Sequence, residues 1–202
     1  MDLFEAMYSQ RAMRRLKTDP VPDELIWKVL DAAIRAPSGG NRQPWNFIVV
    51  RDEAAKRKIA AWYLEAWNAS YGPMKDAMTA NPDSARMFGS ADHLANHLAE
   101  VPVLIIAAIR GGDTGTSPAG SYVYPAVQNL MLAARALGLG TTLTTLHRAH
   151  EDDVKELLGI PENVQTLALI PIGWPKGKFA MGVRRPVEEV TYWEKWGETQ
   201  DR

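Results

Sequence analysis

Residues 25–51 read LIWKVLDAAIRAPSGGNRQPWNFIVVR, and the change of rhythm inside this stretch sets the fold class. Leu25, Ile26, Val29, Leu30, Ala33 and Ile34 recur at helical spacing, which predicts a helix over about 22 to 35 with one buried stripe, and Pro22 suits its first turn. NFIVVR, residues 46–51, is short, apolar and β-branched, the chemistry of a strand. The connection between them holds two glycines, two prolines, Asn41, Gln43 and Trp45, where a plain turn would need three or four polar residues.

The same reading extends in both directions. VPVLIIAAI (101–109) and VQTLALIPIG (164–173) are two further strands, and TTLTTL (141–146) reads as a fourth. Residues 53 to 100 are rich in Ala, Leu, Met, Lys and Trp and predict two or three helices, interrupted at YGPM (71–74) and ANPDS (80–84). Ala126, Val127, Leu130, Met131, Ala134 and Leu137 share one helical face, stopped by Gly138 or Gly140. EDDVKELLGIP (151–161) is a short helix with acid at its start. GGDTGTSPAG, residues 111–120, is the best candidate for a flexible loop. No repeat or linker divides the chain, so residues 1–202 are expected to form one α+β domain, a central sheet flanked by helices. The tail from about 183 to 202 has no period of its own. With Trp193 and Trp196 it either packs along the body or embraces a partner subunit.

A formal net charge of -1 gives no field that would gather nucleic acid or an acidic membrane, so anion recognition must come from a local cluster. With no cysteine, disulfides, thiolate catalysis and thiolate metal sites are removed together. The start of the chain lacks signal-peptide features and no apolar run is long enough to span a membrane. A cytoplasmic protein is expected.

Four groups of residues bear on chemistry. Arg11 and Arg14 stand three apart at the predicted end of the first helix, and Arg184 and Arg185 precede Pro186. Such pairs serve either as solvated surface charge or, converging from opposite chain ends, as a phosphate site. Ser38, Asn41 and Gln43 put neutral polar groups among glycines that let a backbone approach a flat ligand; the alternative is a loop of turn formers anchored by Pro44 and Trp45. GLGTTLTTLH (138–147) contains Gly-x-Gly, but its glycines end a helix rather than follow a strand, which excludes the dinucleotide fingerprint. Its threonines either line a pocket or are simply good strand residues. His93 and His97 are spaced for a metal without a third ligand beside them, and no Gly-x-Ser-x-Gly occurs.

Taken in order, the pieces resemble the flavin-dependent nitroreductases. SQRAMRRL (9–16) is similar to that family's Arg-Arg-Ser-x-Arg segment, APSGGNRQPWNFIVV (36–50) to its Ser-x-x-Asn-x-Gln-Pro-Trp loop and strand, AVQNLMLAARALGLGT (126–141) to its core helix, and LIPIGWP (169–175) with RRPVEEV (184–190) to its closing strand and tail. The resemblance covers nearly the whole chain. It implies a nitroreductase-like α+β fold, a mainly antiparallel sheet, and an interwoven homodimer with FMN at the interface and the tail completing the partner's sheet.

By position, the resemblance assigns the cofactor to Gln10, Arg11, Ala12 and Arg14 for phosphate, ribityl or the pyrimidine edge. Ser38, Asn41 and Gln43 would hold the ribityl chain and ring edge, with Pro37 and Gly39 packing on the flavin. Leu143, Thr144 and Thr145 would present a backbone N–H toward flavin N5, Gly173 would lie at the closing strand, and Arg184 and Arg185 would clamp phosphate. Arg14 is the expected stabiliser of the anionic reduced ring. Gln10 stands where the family usually has Arg and Ala12 where it usually has Ser, a loss of one charge and one hydroxyl that leaves a weaker FMN site or a deazaflavin open.

The activity this implies is hydride transfer from NADH or NADPH to FMN, then reduction of an electron-poor small molecule such as a nitroaromatic or quinone, with no protein nucleophile. The alternatives are a flavin storage or sensing protein without turnover and a dehalogenase-like branch of the family. Residues 62–88, with Trp67, Tyr71, Met74 and Met78, are either a lid over the substrate or dimer core.

Overall fold

A computed structural model describes residues 1–111 and 118–200; residues 112–117 of the loop expected at 111–120 lie outside them. The elements run α1 (Leu3–Ser9), α2 (Asp23–Ala33), β1 (Trp45–Val50), α3 (Glu53–Tyr71), α4 (Lys75–Met78), α5 (Pro82–His97), β2 (Val103–Arg110), α6 (Gly120–Ala136), β3 (Gly140–Thr141), α7 (Glu151–Leu158) and β4 (Val164–Gly173). The four strands form one sheet in the order β1-β2-β4-β3, antiparallel throughout. Among the described residues no helix is long and apolar enough to cross a membrane.

Strand β2 shows why its sequence runs apolar without alternation. Val103 through Ile109 are all buried, because the sheet is covered on both faces. Successive side chains point to opposite faces, so Val103, Ile105, Ala107 and Ile109 join the core under α2 and α6, with Ile26, Val29, Val123, Val127 and Leu130. Leu104 and Ile106 join a second core with Ile59, Tyr63, Trp67, Phe88 and Leu98 from the α3–α5 layer. The stripe expected on α2 narrows to Ile26, Val29 and Ala33, and Ile34 is exposed. The face expected on α6 is the buried one, extended at its start by Tyr122 and Val123. Pro22 caps α2 rather than opening its first turn.

Two expectations fail for one reason. Helix α1 ends at Ser9, so Arg11 and Arg14 share no helical face; they sit on an extended segment. TTLTTL is a strand only at Thr141, with one further bridge from Thr144 to Leu169, before the chain turns through a 3-10 segment at Leu146–His150. The physical cause is that residues 12–17 lie along the end of the sheet and take over its pairing. Ala12 bridges Thr141, Leu16 bridges Pro175, and the Met13 N–H donates to the Thr141 carbonyl at 2.8 Å. Lys17 N–H donates to the Trp174 carbonyl at 2.7 Å, and Lys176 N–H to the Arg15 carbonyl at 2.9 Å.

Gly140 admits this segment, and Gly173 admits Pro102 beside it. A Cβ on Gly140 would stand 2.8 Å from Met13 Cβ and 2.9 Å from Leu16 Cδ2, and one on Gly173 would stand 2.9 Å from Pro102 Cγ. The tail beyond β4 holds a single 3-10 turn, Val187–Val190, and leaves Val183, Trp193 and Trp196 exposed. Before that turn, Trp174 and Phe179 pack on the two cores and Lys176 pairs with Arg15, so the chain beyond β4 follows the body as far as Phe179.

His147 is fully buried in the turn after Leu146, and neither ring nitrogen has a hydrogen-bond partner among the described residues. Burial pushes its pKa down to about 4, with Arg148 adding to the drop and Glu151 opposing it. Protonating this imidazole inside the core leaves an unpaired charge there.

Gly140→Ala is expected to cost about 1–3 kcal/mol by overpacking, read as a Tm several degrees lower, whereas an alanine at exposed Gly177, with open space around it, leaves Tm unchanged. Between the ordinary His value of 6.5 and about 4, the unfolded chain binds a proton at His147 that the folded chain refuses. Stability therefore falls as pH drops through that window, and thermal melts of His147→Phe should fall less between pH 7 and pH 4.5 than those of the parent.

Candidate functional site

The extended segment carries Met13 and Leu16 into the α3–α5 core and leaves Arg14, between them in the chain, half-buried. Arg14 lines a cavity of about 350 Å³, within the range of small-molecule sites. Thr142, Leu143, Thr144, Thr145 and Leu146 form the adjacent wall; Tyr63, Trp67 and Tyr71 of α3 and Met87, Phe88 and Leu94 of α5 form the rest, with Met78 of α4.

Charge and donors gather on one side of this space. Burial lowers the Arg14 pKa, with the Tyr63 phenol opposing, and no described residue gives the guanidinium a hydrogen bond or an ion pair. Its five N–H donors are unspent. Tyr63 is buried, its Oη lies 3.0 Å from Thr144 Oγ1, and burial raises its pKa, with the Thr144 bond and Arg14 opposing. Thr144 exchanges both backbone hydrogen bonds with Leu169, at 3.0 and 2.8 Å. Of the three residues expected to offer a backbone N–H, Thr144 has therefore already committed its own.

The opposite wall is an aromatic cluster held by its own contacts. Trp67 stacks on Tyr71 at 4.5 Å between centroids and tilts against Phe88 at 5.5 Å. Its indole N–H donates to Asp92 Oδ1 at 3.1 Å. Trp67 and Phe88 belong at once to the core of this chain and to the cavity wall. Met74 is exposed and does not line the space.

The loop between α2 and β1 is built differently. Gly40, Asn41 and Gln43 have φ of 60°, 53° and 50°, a region that costs a residue like Gln about 1 kcal/mol or more and clusters at functional sites. The Gln43 N–H donates to Ser38 Oγ at 3.0 Å and Gln43 Nε2 to Asn41 Oδ1 at 3.2 Å. Buried Pro44 and Trp45 fix the exit, and a Cβ on Gly39 would meet Tyr122 Oη at 3.0 Å, so the loop rests on α6. Pro37, Asn41 and Gln43 are exposed and Ser38 half-buried.

One chain does not bring these groups together. The loop enters β1 at Trp45, paired with Ile109, whereas the Arg14 segment joins the sheet at Thr141, which pairs with Ile172 and through it lies beside Val103. Ile109 and Val103 are opposite ends of β2, roughly 20 Å apart at strand rise. Gln10 turns its amide to Met131 Sδ at 3.8 Å, Ala12 is exposed on the segment, and Arg11 is exposed. Gly173 is buried against Pro102 and Leu16. Arg184 and Arg185 are exposed in the tail, and Arg184 Nη1 donates only to the carbonyl of its neighbour Val183, at 2.9 Å. Tyr63, Met87 and Phe88 lie within the 62–88 stretch without having been singled out, and Ala91, Leu94 and Leu146, which line the same cavity, were missed from sequence. Tyr63 had a signal, a phenol inside the apolar stripe Ile59, Ala66, Trp67 of α3. His93 and His97 stack at 4.2 Å, and His97 Nδ1 pairs with Glu100 Oε1 at 2.8 Å; no group of three His, Asp or Glu among the described residues is placed to hold a metal.

Residues 7–174 match the model of the Nitroreductase family. A Thermus thermophilus protein named NADH dehydrogenase is 28% identical over 208 residues, covering 96% of both chains. The structure of oxidized iodotyrosine deiodinase bound to FMN and 3-iodo-L-tyrosine is similar with a TM-score of 0.75 at 24% identity, over 92% of this chain and 96% of that one. A nitroreductase with bound FMN from Desulfitobacterium hafniense gives 0.73 at 22% identity, over 96% of this chain and all of that one.

Proposed function

This chain belongs to the nitroreductase family, and from that premise we propose that it is an FMN-dependent oxidoreductase carrying electrons from NADH or NADPH to an electron-poor small molecule, by a ping-pong exchange in a homodimer. The observation that carries the reading is Arg14, a half-buried cation without a partner among the described residues, facing a cavity with an aromatic and thioether wall. A desolvated, unpaired charge is costly, and an anionic edge of a flat conjugated ligand answers both the charge and the apolar wall. FMN offers that chemistry, and the FMN bound in the two similar structures supports the choice.

When bound, FMN supplies the hydride acceptor and donor at N5. What the protein adds follows from its own residues. Arg14 stabilises negative charge on the pyrimidine edge, by charge-assisted hydrogen bonds in a site partly withdrawn from water. Trp67, Tyr71 and Phe88 would exclude water from the bound ring, and Leu143 or Thr145 would offer a backbone N–H. Ser38, Asn41 and Gln43 hold the ribityl chain and ring edge from the second copy, since in one chain they stand at the far end of β2. Arg11, Arg184 and Arg185 are free to reach phosphate. The second copy is supported by this division of the site, by the exposed apolar side chains Leu3, Phe4, Met7 and Tyr8 of α1, and by the exposed tail.

Purified protein is expected to take up FMN with the visible spectrum of a bound flavin. Anaerobic mixing with NADH or NADPH should bleach it, and a quinone, a nitroaromatic or 3-iodo-L-tyrosine should restore the colour. Bleaching without reoxidation by any acceptor would mark a storage or sensing protein, and no FMN uptake would overturn the reading. Arg14→Ala removes an interaction worth about 1.5–3 kcal/mol, so FMN retention or the rate of flavin reduction should fall about tenfold or more. Unchanged values for both would take Arg14 out of the site.

A further inference from the structure

Tyr63 and Thr144 raise a question of hydrogen-bond accounting. Each carries one O–H donor, and the 3.0 Å bond between them uses one of the two whichever residue donates. No other bond to Tyr63 Oη or Thr144 Oγ1 is present among the described residues. Thr144 cannot turn its backbone to the task, since its N–H and carbonyl are both paired with Leu169. The pair therefore holds one O–H in reserve, on the wall of the cavity that Arg14 also lines.

We infer that Tyr63 is a positioning residue of this site. It fixes the Thr144 hydroxyl so that the two groups act as one donor, placed beside the Arg14 guanidinium and aimed at an acceptor atom on the ligand's polar edge. The inference rests on the proposed FMN site and refines it by adding a third recognition element from α3. Burial keeps the phenol protonated, so the pair stays neutral and donating across the working pH range. The arrangement selects a ligand that brings negative charge to Arg14 and a lone pair to the hydroxyl pair, the pattern of a flavin's heteroatom edge rather than of a plain aromatic hydrocarbon.

The test is a double-mutant cycle on the intact protein, with FMN as the probe. Tyr63→Phe keeps the ring and deletes the hydroxyl; Thr144→Val keeps the shape and deletes the other. Each single variant is expected to bind FMN about five- to tenfold more weakly and to move the visible band of the bound flavin to the same new position. The double variant should be no more than twofold worse than the weaker single, because groups acting as a unit are lost together. Thr144→Ser, which keeps the donor, should stay within about threefold of the parent. Equal affinity and an unmoved band in Tyr63→Phe would overturn the inference while leaving the flavin site standing, and so would additive losses in the double variant. Failure of the parent itself to bind FMN would overturn the flavin reading, and this inference with it. Should Tyr63→Phe fold poorly, the comparison of Thr144→Val with Thr144→Ser decides alone: equal FMN affinity for these two overturns the inference.

Discussion

The backbone pairing of residues 12–17 with Thr141 and with residues 174–176 is the constraint on which the rest of this molecule depends. It depends on Gly140, which presents no Cβ where Met13 and Leu16 pass. Once the segment is down, its side chains are divided between the core and the cavity. Met13 and Leu16 join the α3–α5 core, and half-buried Arg14 lines the cavity beside that core, without a protein partner among the described residues. A half-buried cation without a partner favours a ligand that brings negative charge.

The wall opposite Arg14 obeys ordinary packing rules. Trp67, Tyr71 and Phe88 are held by stacking and by the indole bond to Asp92, so the cavity keeps its form without help from a ligand. Such preorganisation makes binding selective at small entropic cost. The loop at Ser38–Gln43 stores backbone strain instead. Its positive φ values are stabilised by the bonds from Gln43 to Ser38 and Asn41, which aim the polar groups outward rather than into the same chain's cavity. In the proposed site the recognising groups stand at the two ends of β2, which is what gives the proposed second copy its role.

Much of this was legible in the sequence. The helix–loop–strand rhythm of residues 25–51, the unbroken apolar run of β2 and the one-sided face of α6 are local patterns with a single structural solution, and each formed as its spacing predicts. The resemblance of the ordered motifs to the nitroreductases agrees with the family match over residues 7–174. The sequence erred where pairing is not local. Arg11 and Arg14 read as helical neighbours because nothing within a few residues reveals that the chain leaves α1 at Ser9 to pair with residues far away at Thr141. TTLTTL read as a strand because threonine favours strands, yet only Thr141 and the Thr144 bridge pair, and a 3-10 turn follows.

What the sequence determined by itself, then, is the set of elements, their buried faces and the residue types available for recognition, since these follow from periodicity and local backbone preference. Only the tertiary structure decided which of them meet. It set Arg14 beside the Tyr63–Thr144 pair and put the Ser38–Gln43 loop at the other end of the sheet. The reason is that β pairing and burial join residues distant in the chain, through contacts such as Gly140 against Met13 that depend on the absence of a side chain and leave no periodic trace.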